Sequence, residues 1–227
     1  MEPFSGSKIK EDTRKDKLLI IGAGGHGKVV ADIAVNMKNW ESIVFLDDDE
    51  NITQSLGFNV VGKISGFLDF IDDYDIFVGI GNNIVRERVF QMLKKAGANI
   101  PVLIHPKSVI GTHVYIGSGT AVMAGVIINS STYIGEGCII NTGATIDHDN
   151  ILKDFVHISP GAHLAGTVKI GKGSWLGIGS VVNNNITVTD GCIIGASSTV
   201  LTDIIESGTY IGTPSRKKGG NKNGNFV

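Results

Sequence analysis

Between Ile104 and Val200 an aliphatic side chain returns every sixth residue without a break. The series runs from Ile104, Ile110 and Ile116 through Ile146 and Leu164 to Ile194 and Val200, seventeen anchors in one register. Four positions after an anchor a small or β-branched residue is usual, as at Thr120, Thr132, Cys138, Ala144, Ala162 and Ser180. A fixed short repeat constrains the fold more than any local motif. A helix needs apolar residues at 3.6-residue spacing and a half-buried strand needs alternation. Six fits neither. It fits very short strands joined by tight corners, where Gly, Asn and Asp supply the uncommon backbone angles. The anchor points inward, and the residue four later is small because the interior is narrow.

Residues eighteen apart then stack in neighbouring coils, roughly 4.8 Å apart, and seventeen anchors make between five and six three-sided coils. A coil this regular carries no long inserted loop, so a site must be built from corner residues, shared between subunits. The high glycine count, 31 of 227 residues, is partly the repeat's own. Cys138 and Cys192 share one repeat position three coils apart, about 14 Å by strand spacing, beyond the reach of a disulfide. Both read as small core residues.

Residues 17–103 have a different grammar. Lys17–Ile21 is a short apolar strand, Gly22-Ala23-Gly24-Gly25-His26-Gly27 a glycine turn, and Lys28–Met37 has helical spacing. Ser42–Leu46 and Asp75–Ile80 read as further strands, and Ile84–Ala96 as an amphipathic helix. Strands alternating with helices predict a parallel sheet that binds ligands at the strand C-terminal ends. The glycine turn suits a phosphate or pyrophosphate at a helix N-terminus. The alternative is a turn that merely packs helix on strand. Asp47 lies twenty residues past Gly27, at the spacing of a ribose-binding acid. A unit this small falls short of a dinucleotide-binding domain of about six strands, which favours a nucleotide-sugar over NAD. His26 would face the ligand or, in the other reading, solvent. Residues 1–16 read as a flexible arm and 214–227 as a tail whose Arg216, Lys217 and Lys218 either stay solvated or meet cofactor phosphates.

A net charge of −2 gives no reason to expect nucleic acid or an anionic membrane as partner. No apolar run approaches the ~20 residues of a membrane-spanning helix and no signal-peptide pattern opens the chain, so the expected compartment is the cytoplasm.

Three of the six histidines fall in Ile140–Gly166: His148, His157 and His163. His148 is two past the anchor Ile146 and should project from a corner, flanked by Asp147 and Asp149. An imidazole oriented by a carboxylate is a natural general base. Gly166 lies eighteen residues later, one coil away, where its N–H could stabilise an oxyanion. Base, orienting acid and oxyanion donor together suit acyl transfer. Competing readings are a zinc site shared by the three histidines across a subunit interface, and corner histidines that only hydrogen-bond their neighbours.

Taken together, KLLIIGAGGHGKVV (17–30), FLDD (45–48), GIGNN (79–83), NTGATIDHDN (141–150), His157–Gly166 and GTPSRK (212–217) resemble the NeuD/PglD-type nucleotide-sugar acetyltransferases of bacterial surface-glycan synthesis. The resemblance implies an α/β N-terminal parallel-sheet (Rossmann-like) domain, 17–103, followed by an all-β left-handed parallel β-helix, 104–213. It implies a homotrimer with acetyl-CoA between adjacent solenoids, a nucleotide-linked amino sugar on the N-terminal domain, and no metal. It makes His148 the base, Asp149 the residue that raises its basicity, and Gly166 the oxyanion donor. It puts His157, Gly166, Ile178 and Ala196 against acetyl-CoA, and Gly24, Gly25, His26, Asp47, Asp48 and Gly81 against the nucleotide-sugar. The expected acceptor is the 4-amino group of a 4-amino-4,6-dideoxy sugar, with UDP the favoured nucleotide. Alternatives are a sugar O-acetyltransferase of the sialic-acid type, a metalloenzyme like the γ-class carbonic anhydrases, and a non-catalytic scaffold.

Overall fold

The computed structural model describes residues 15–219. The expected arm lies outside these residues except for Lys15 and Asp16, and the last eight residues of the expected tail lie outside as well. Asp16 is already docked, its carbonyl accepting from the Glu41 N–H at 2.7 Å.

The first unit runs β1 (Lys17–Ile21), α1 (Gly25–Met37), β2 (Ser42–Leu46), β3 (Gln54–Ser55), β4 (Phe58–Asn59), a 3-10 helix (Ile64–Phe70), β5 (Asp75–Val78) and α2 (Asn83–Lys95). Its sheet has three parallel strands in the order β2-β1-β5. β1 is central, and Leu18, Leu19, Ile20 and Ile21 are fully buried, as a strand covered on both faces requires. The sequence reading lacked the β3–β4 hairpin and the 3-10 helix. It also started α1 three residues late: the helix begins at Gly25, so His26 stands in its first turn and not in the loop before it. The cause lies in Gly27, where a Cβ would meet the Gly22 carbonyl oxygen at 1.9 Å. Glycine there serves close helix–strand packing, and the turn is over by Gly24. Asn82 caps α2 by accepting from the Ile84 and Val85 N–H groups, both at 3.1 Å.

Seventeen two-residue strands follow, β6 (Leu103–Ile104) to β22 (Thr199–Val200), one every six residues. They form the expected parallel β-solenoid, of about six turns. Each strand pairs with the one eighteen residues on, as Thr145 with His163 and Ile146 with Leu164. Three sheets result, one holding β6, β9, β12 and onward, the second β7, β10, β13 and onward, the third β8, β11, β14 and onward. The residue three past the anchor has positive φ at fifteen successive corners, from His113 to Ser197. Seven are not glycine, Asp149 (φ 57) among them. Anchors and small residues fill the interior, with Cys138 and Cys192 both buried in it.

At the top, β23 (Thr209–Ile211) extends the first sheet and β24 (Arg216–Lys217) pairs back on it antiparallel. Ile204 bridges to Val188, and Thr199 is bonded to both Gly212 and Ser215. Lys217 pairs with Glu206 at 2.7 Å.

The two units share their cores. Leu103, Ala121, Met123 and Ile139 on the first sheet pack with α1 and β1. Phe155 points out of its corner to meet Phe90 of α2 edge to face, centroids 5.4 Å apart. Arg86, 1% exposed, crosses the same seam. Its guanidinium donates to the carbonyls of Gly137 (2.7 Å) and Phe155 (3.2 Å) in the solenoid, to Gly81 (2.9 Å) and Ile80 (3.3 Å) in its own unit, and to Asn83 Oδ1 (2.7 Å). These acceptors are all neutral, so among the described residues the positive charge is buried without a carboxylate as hydrogen-bond partner.

Candidate active site

Three groups of residues stand out, held by different parts of the scaffold. The first is a groove of about 310 Å³ at the C-terminal ends of β1, β2 and β5, lined among others by Gly24, Gly25, His26, Asp47, Asp48 and Gly81. All six residues expected there from the sequence meet in it. A Cβ on Gly24 or Gly25 would meet nothing within 4 Å, so protein packing does not require glycine at either. What glycine leaves open there is space for something outside the chain. Asp47 already has backbone partners: Oδ2 accepts the Ala23 N–H at 2.7 Å and Oδ1 the Asp49 N–H at 2.9 Å. Asp48 accepts the Ile64 N–H at 3.0 Å. Both carboxylates shape the groove through its main chain.

His26 lines this groove, yet its Nε2 is buried and has no hydrogen-bond partner among the described residues. Burial, with the Arg86 charge second, lowers its pKa to about 4, so the ring is neutral near pH 7.

The second group lies on the first sheet. His157 in β15 (His157–Ile158) stacks on Trp175 in β18 (Trp175–Leu176), eighteen residues on, rings 5.4 Å apart and 3° from parallel. The Trp175 indole N–H donates to Ser159 Oγ at 2.7 Å, and His157 Nε2 lies 3.3 Å from Asn141 Nδ2. Burial lowers the His157 pKa to about 3, with the Arg86 charge and then His26 adding to it. Trp175 borders an apolar groove of about 390 Å³ whose lining includes Ile178, Ala196, Gly177, Ile193 and Gly212. Ile178 is 61% exposed despite its size. Such a surface on the outside of a solenoid suits a long, partly apolar ligand.

The third group is the corner after β13 (Thr145–Ile146). The His148 side chain is 54% exposed and that of Asp149 58%. His148 Nδ1 lies 2.7 Å from Asp149 Oδ2. An ionised carboxylate can only accept, so Nδ1 carries the proton and Nε2 presents its lone pair to solvent. The Asp149 hydrogen bond raises the His148 pKa above its ordinary value, and the charges of Asp147 and Asp149 add to it. Gly166 stacks against the ring: a Cβ there would fall 2.6 Å from His148 Cε1 and 2.7 Å from Nε2. No hydrogen bond among the described residues uses the Gly166 N–H.

The expected base, acid and oxyanion donor therefore meet at one corner. His157 does not join them: it belongs to a strand of the first sheet, while His148 follows a strand of the second. His163, one coil above Thr145, has its Nδ1 2.8 Å from the Thr145 hydroxyl. Among the described residues no group of three or more His, Cys, Asp or Glu is arranged to hold a metal ion, and no helix is long and apolar enough to cross a membrane. Arg86 and Trp175 carry no sequence signal of their own. One is an ordinary residue of an amphipathic helix, and the other occupies the outward position before an anchor, where almost any residue fits.

Residues 17–93 match the family model described as the PglD N-terminal domain, and residues 167–202 the model of bacterial transferase hexapeptide repeats. The chain is 30% identical over 174 residues to a GDP-perosamine N-acetyltransferase of Escherichia coli O157:H7, covering 74% of this chain and 78% of that protein. Among solved structures it is similar to the acetyltransferase domain of PglB from Neisseria gonorrhoeae FA1090 (39% identity, TM-score 0.87, covering 90% of this chain and all of that one), also solved in complex with acetyl coenzyme A. It is similar as well to PerB from Caulobacter crescentus in complex with CoA and GDP-perosamine (36% identity, TM-score 0.85, 89% and 97% covered).

Proposed function

This chain belongs to the PglD-type nucleotide-sugar N-acetyltransferases, and from that premise we propose that it moves the acetyl group of acetyl-CoA onto the 4-amino group of a nucleotide-linked 4-amino-4,6-dideoxy sugar. The observation that carries the reading is the His148–Asp149–Gly166 corner. A base with a free Nε2, an acid holding its tautomer and an unengaged backbone N–H within the same few ångströms are what aminolysis of a thioester needs.

In this reading the neutral sugar amine attacks the thioester carbonyl carbon. The C–N bond forms and the carbonyl electrons move to oxygen, which the Gly166 N–H stabilises. His148 Nε2 takes the proton from the nitrogen. As the tetrahedral intermediate collapses, the C–S bond breaks and His148 returns that proton to sulfur, leaving the amide and free CoA. Asp149 keeps Nδ1 protonated and favours the imidazolium that forms in between.

The apolar groove beside Ile178 and Ala196 takes the CoA arm, with His157 at its acyl end, and the glycine-lined groove takes the nucleotide diphosphate. Residues 17–103 thus hold the acceptor and 104–213 carry out transfer. His148 and His157 follow from different sheets of one solenoid, so the reading assembles a site from two copies, in a homotrimer with acetyl-CoA between neighbours. UDP is the nucleotide proposed. The relatives' names give both GDP and UDP.

Thiol release from acetyl-CoA, followed against UDP-, GDP- and dTDP-linked 4-amino sugars and free sialic acid, tests this reading. Turnover with a nucleotide-linked amino sugar, fastest with UDP, is expected, and lost by about 10²–10⁴-fold in His148→Ala. Turnover with sialic acid alone would replace the amine by a hydroxyl acceptor. Full activity of His148→Ala would remove the base from the mechanism.

A further inference from the structure

The interior position four past each anchor holds Thr, Val, Cys, Ala, Ser or Ile in every six-residue repeat but one. After Ile146 it holds Asn150, a primary amide buried to 0% exposure in the apolar core directly behind the His148 corner. A buried amide is kept only where its donors and acceptor are matched, and here they are. Asn150 Nδ2 donates to the Asp147 carbonyl at 2.7 Å and the Ala165 carbonyl at 3.0 Å, with the His148 carbonyl at 3.3 Å sharing a proton. Its Oδ1 accepts the Val168 N–H at 3.2 Å. From one coil below, the Thr132 hydroxyl donates to the same Asp147 carbonyl at 2.9 Å.

The partners decide what this amide does. Asp147 and His148 precede Asp149, which sits in the left-handed region at φ 57 and whose carboxylate must meet His148 Nδ1. Ala165 and Val168 bracket Gly166, against which the His148 ring lies. One side chain therefore ties the peptide carrying the base to the peptide carrying the oxyanion donor, across the gap between coils. Resting on the reading of His148 as base, we propose that Asn150 is a positioning residue: it fixes the corner so that the His148–Asp149 hydrogen bond and the stacking of the ring on Gly166 persist together. It does so from inside the core, without touching substrate.

The test uses replacements the repeat itself accommodates. Valine fills this register position at Val126, Val156 and Val168, and threonine at Thr120 and Thr132, so Asn150→Val keeps an apolar filling without any donor and Asn150→Thr keeps one donor. In the full chain, Asn150→Val is expected to lower kcat roughly tenfold or more with KM for both substrates within about twofold of the starting protein. The acidic limb of the pH–rate profile should move to lower pH, because losing the Asp149 partner lowers the His148 pKa. Asn150→Thr should fall between the two, and serves if the valine variant does not fold. Ser180→Ala, at the same register position where the hydroxyl has no partner among the described residues, should leave kcat unchanged. A folded Asn150→Val or Asn150→Thr protein with unaltered kcat and an unmoved acidic limb overturns the inference. So does a loss of melting temperature with no change in either. An active His148→Ala protein instead overturns the assignment of the base, which is a separate result.

Discussion

Two histidines nine residues apart meet opposite fates in the same solenoid. His148, two past its anchor, stands on a corner among carboxylates, and its pKa is raised. His157, one before its anchor, lies on a sheet face against Trp175 and within the field of the buried Arg86, and its pKa is lowered to about 3. The first holds its proton more readily than a free imidazole; the second is neutral near pH 7. Hexad position sets exposure: at the open corner the Asp149 hydrogen bond raises the value, and on the covered sheet face burial lowers it, with the Arg86 charge adding to it. One short repeat thus puts the same residue type into two opposite electrostatic settings.

The largest expected disturbance of that contrast is at the corner. Gly166→Ala places a methyl group where the His148 ring now lies, so the ring and the proposed oxyanion donor move apart together. A loss of about 10²–10³-fold in kcat is expected in steady-state thiol release; near-normal kcat would mean that the ring does not rest on Gly166 during turnover.

Arg86→Met acts on the other histidine. It strands the Gly137, Phe155 and Gly81 carbonyls across the seam, at a cost of about 2–4 kcal/mol in denaturant unfolding. It also removes the second cause of the depressed His26 and His157 values. In the intact protein an unfolded histidine, with pKa near 6.5, binds a proton that folded His26 refuses until about pH 4 and folded His157 until about pH 3. The unfolded state then holds more protons, so the contribution of these two histidines to stability is full above about pH 6.5 and is lost as the pH drops below it. Denaturation midpoints measured between pH 4 and 7 should show this slope, shallower in Arg86→Met. An equal slope in both would assign the depression to burial alone.

The smallest expected change is Asp149→Asn. The amide holds the ring less firmly and does not stabilise imidazolium, so kcat should fall by about an order of magnitude. The acidic limb should shift to lower pH, in line with the Asp149 hydrogen bond being the main cause of the raised value. An unmoved limb would transfer that role to Asp147.

The solenoid was legible because its period is enforced by a narrow interior that every coil must fill. The anchors, the eighteen-residue stacking and the corner carrying His148, Asp149 and Gly166 all follow from counting. The first unit was legible only where local chemistry is strong, as at the strands Lys17–Ile21 and Ser42–Leu46. The start of α1 was missed because Gly27 looks like loop punctuation, whereas its reason is a clash three-dimensional in origin. Arg86 was invisible because a helical arginine reads as solvated, and only the seam between the units reveals the carbonyls it satisfies. Asn150 did leave a signal, a polar residue at a register position otherwise held by small or aliphatic ones. It becomes interpretable once its neighbours across the coil gap are known.

The folded-back segment at the top of the solenoid bears on how long such an object can grow. A parallel coil ends in three bare strand edges, each able to template another copy, and stacked copies of a regular repeat would make a fibre. Here Ile204 occupies the edge at Val188, Gly212 and Ser215 that at Thr199, and β23 that at β21 (Ile193–Ile194), after which β24 reverses direction. The last coil offers no parallel edge at these strands, so the segment 204–217 covers the edges along which a second copy could extend the coil end to end.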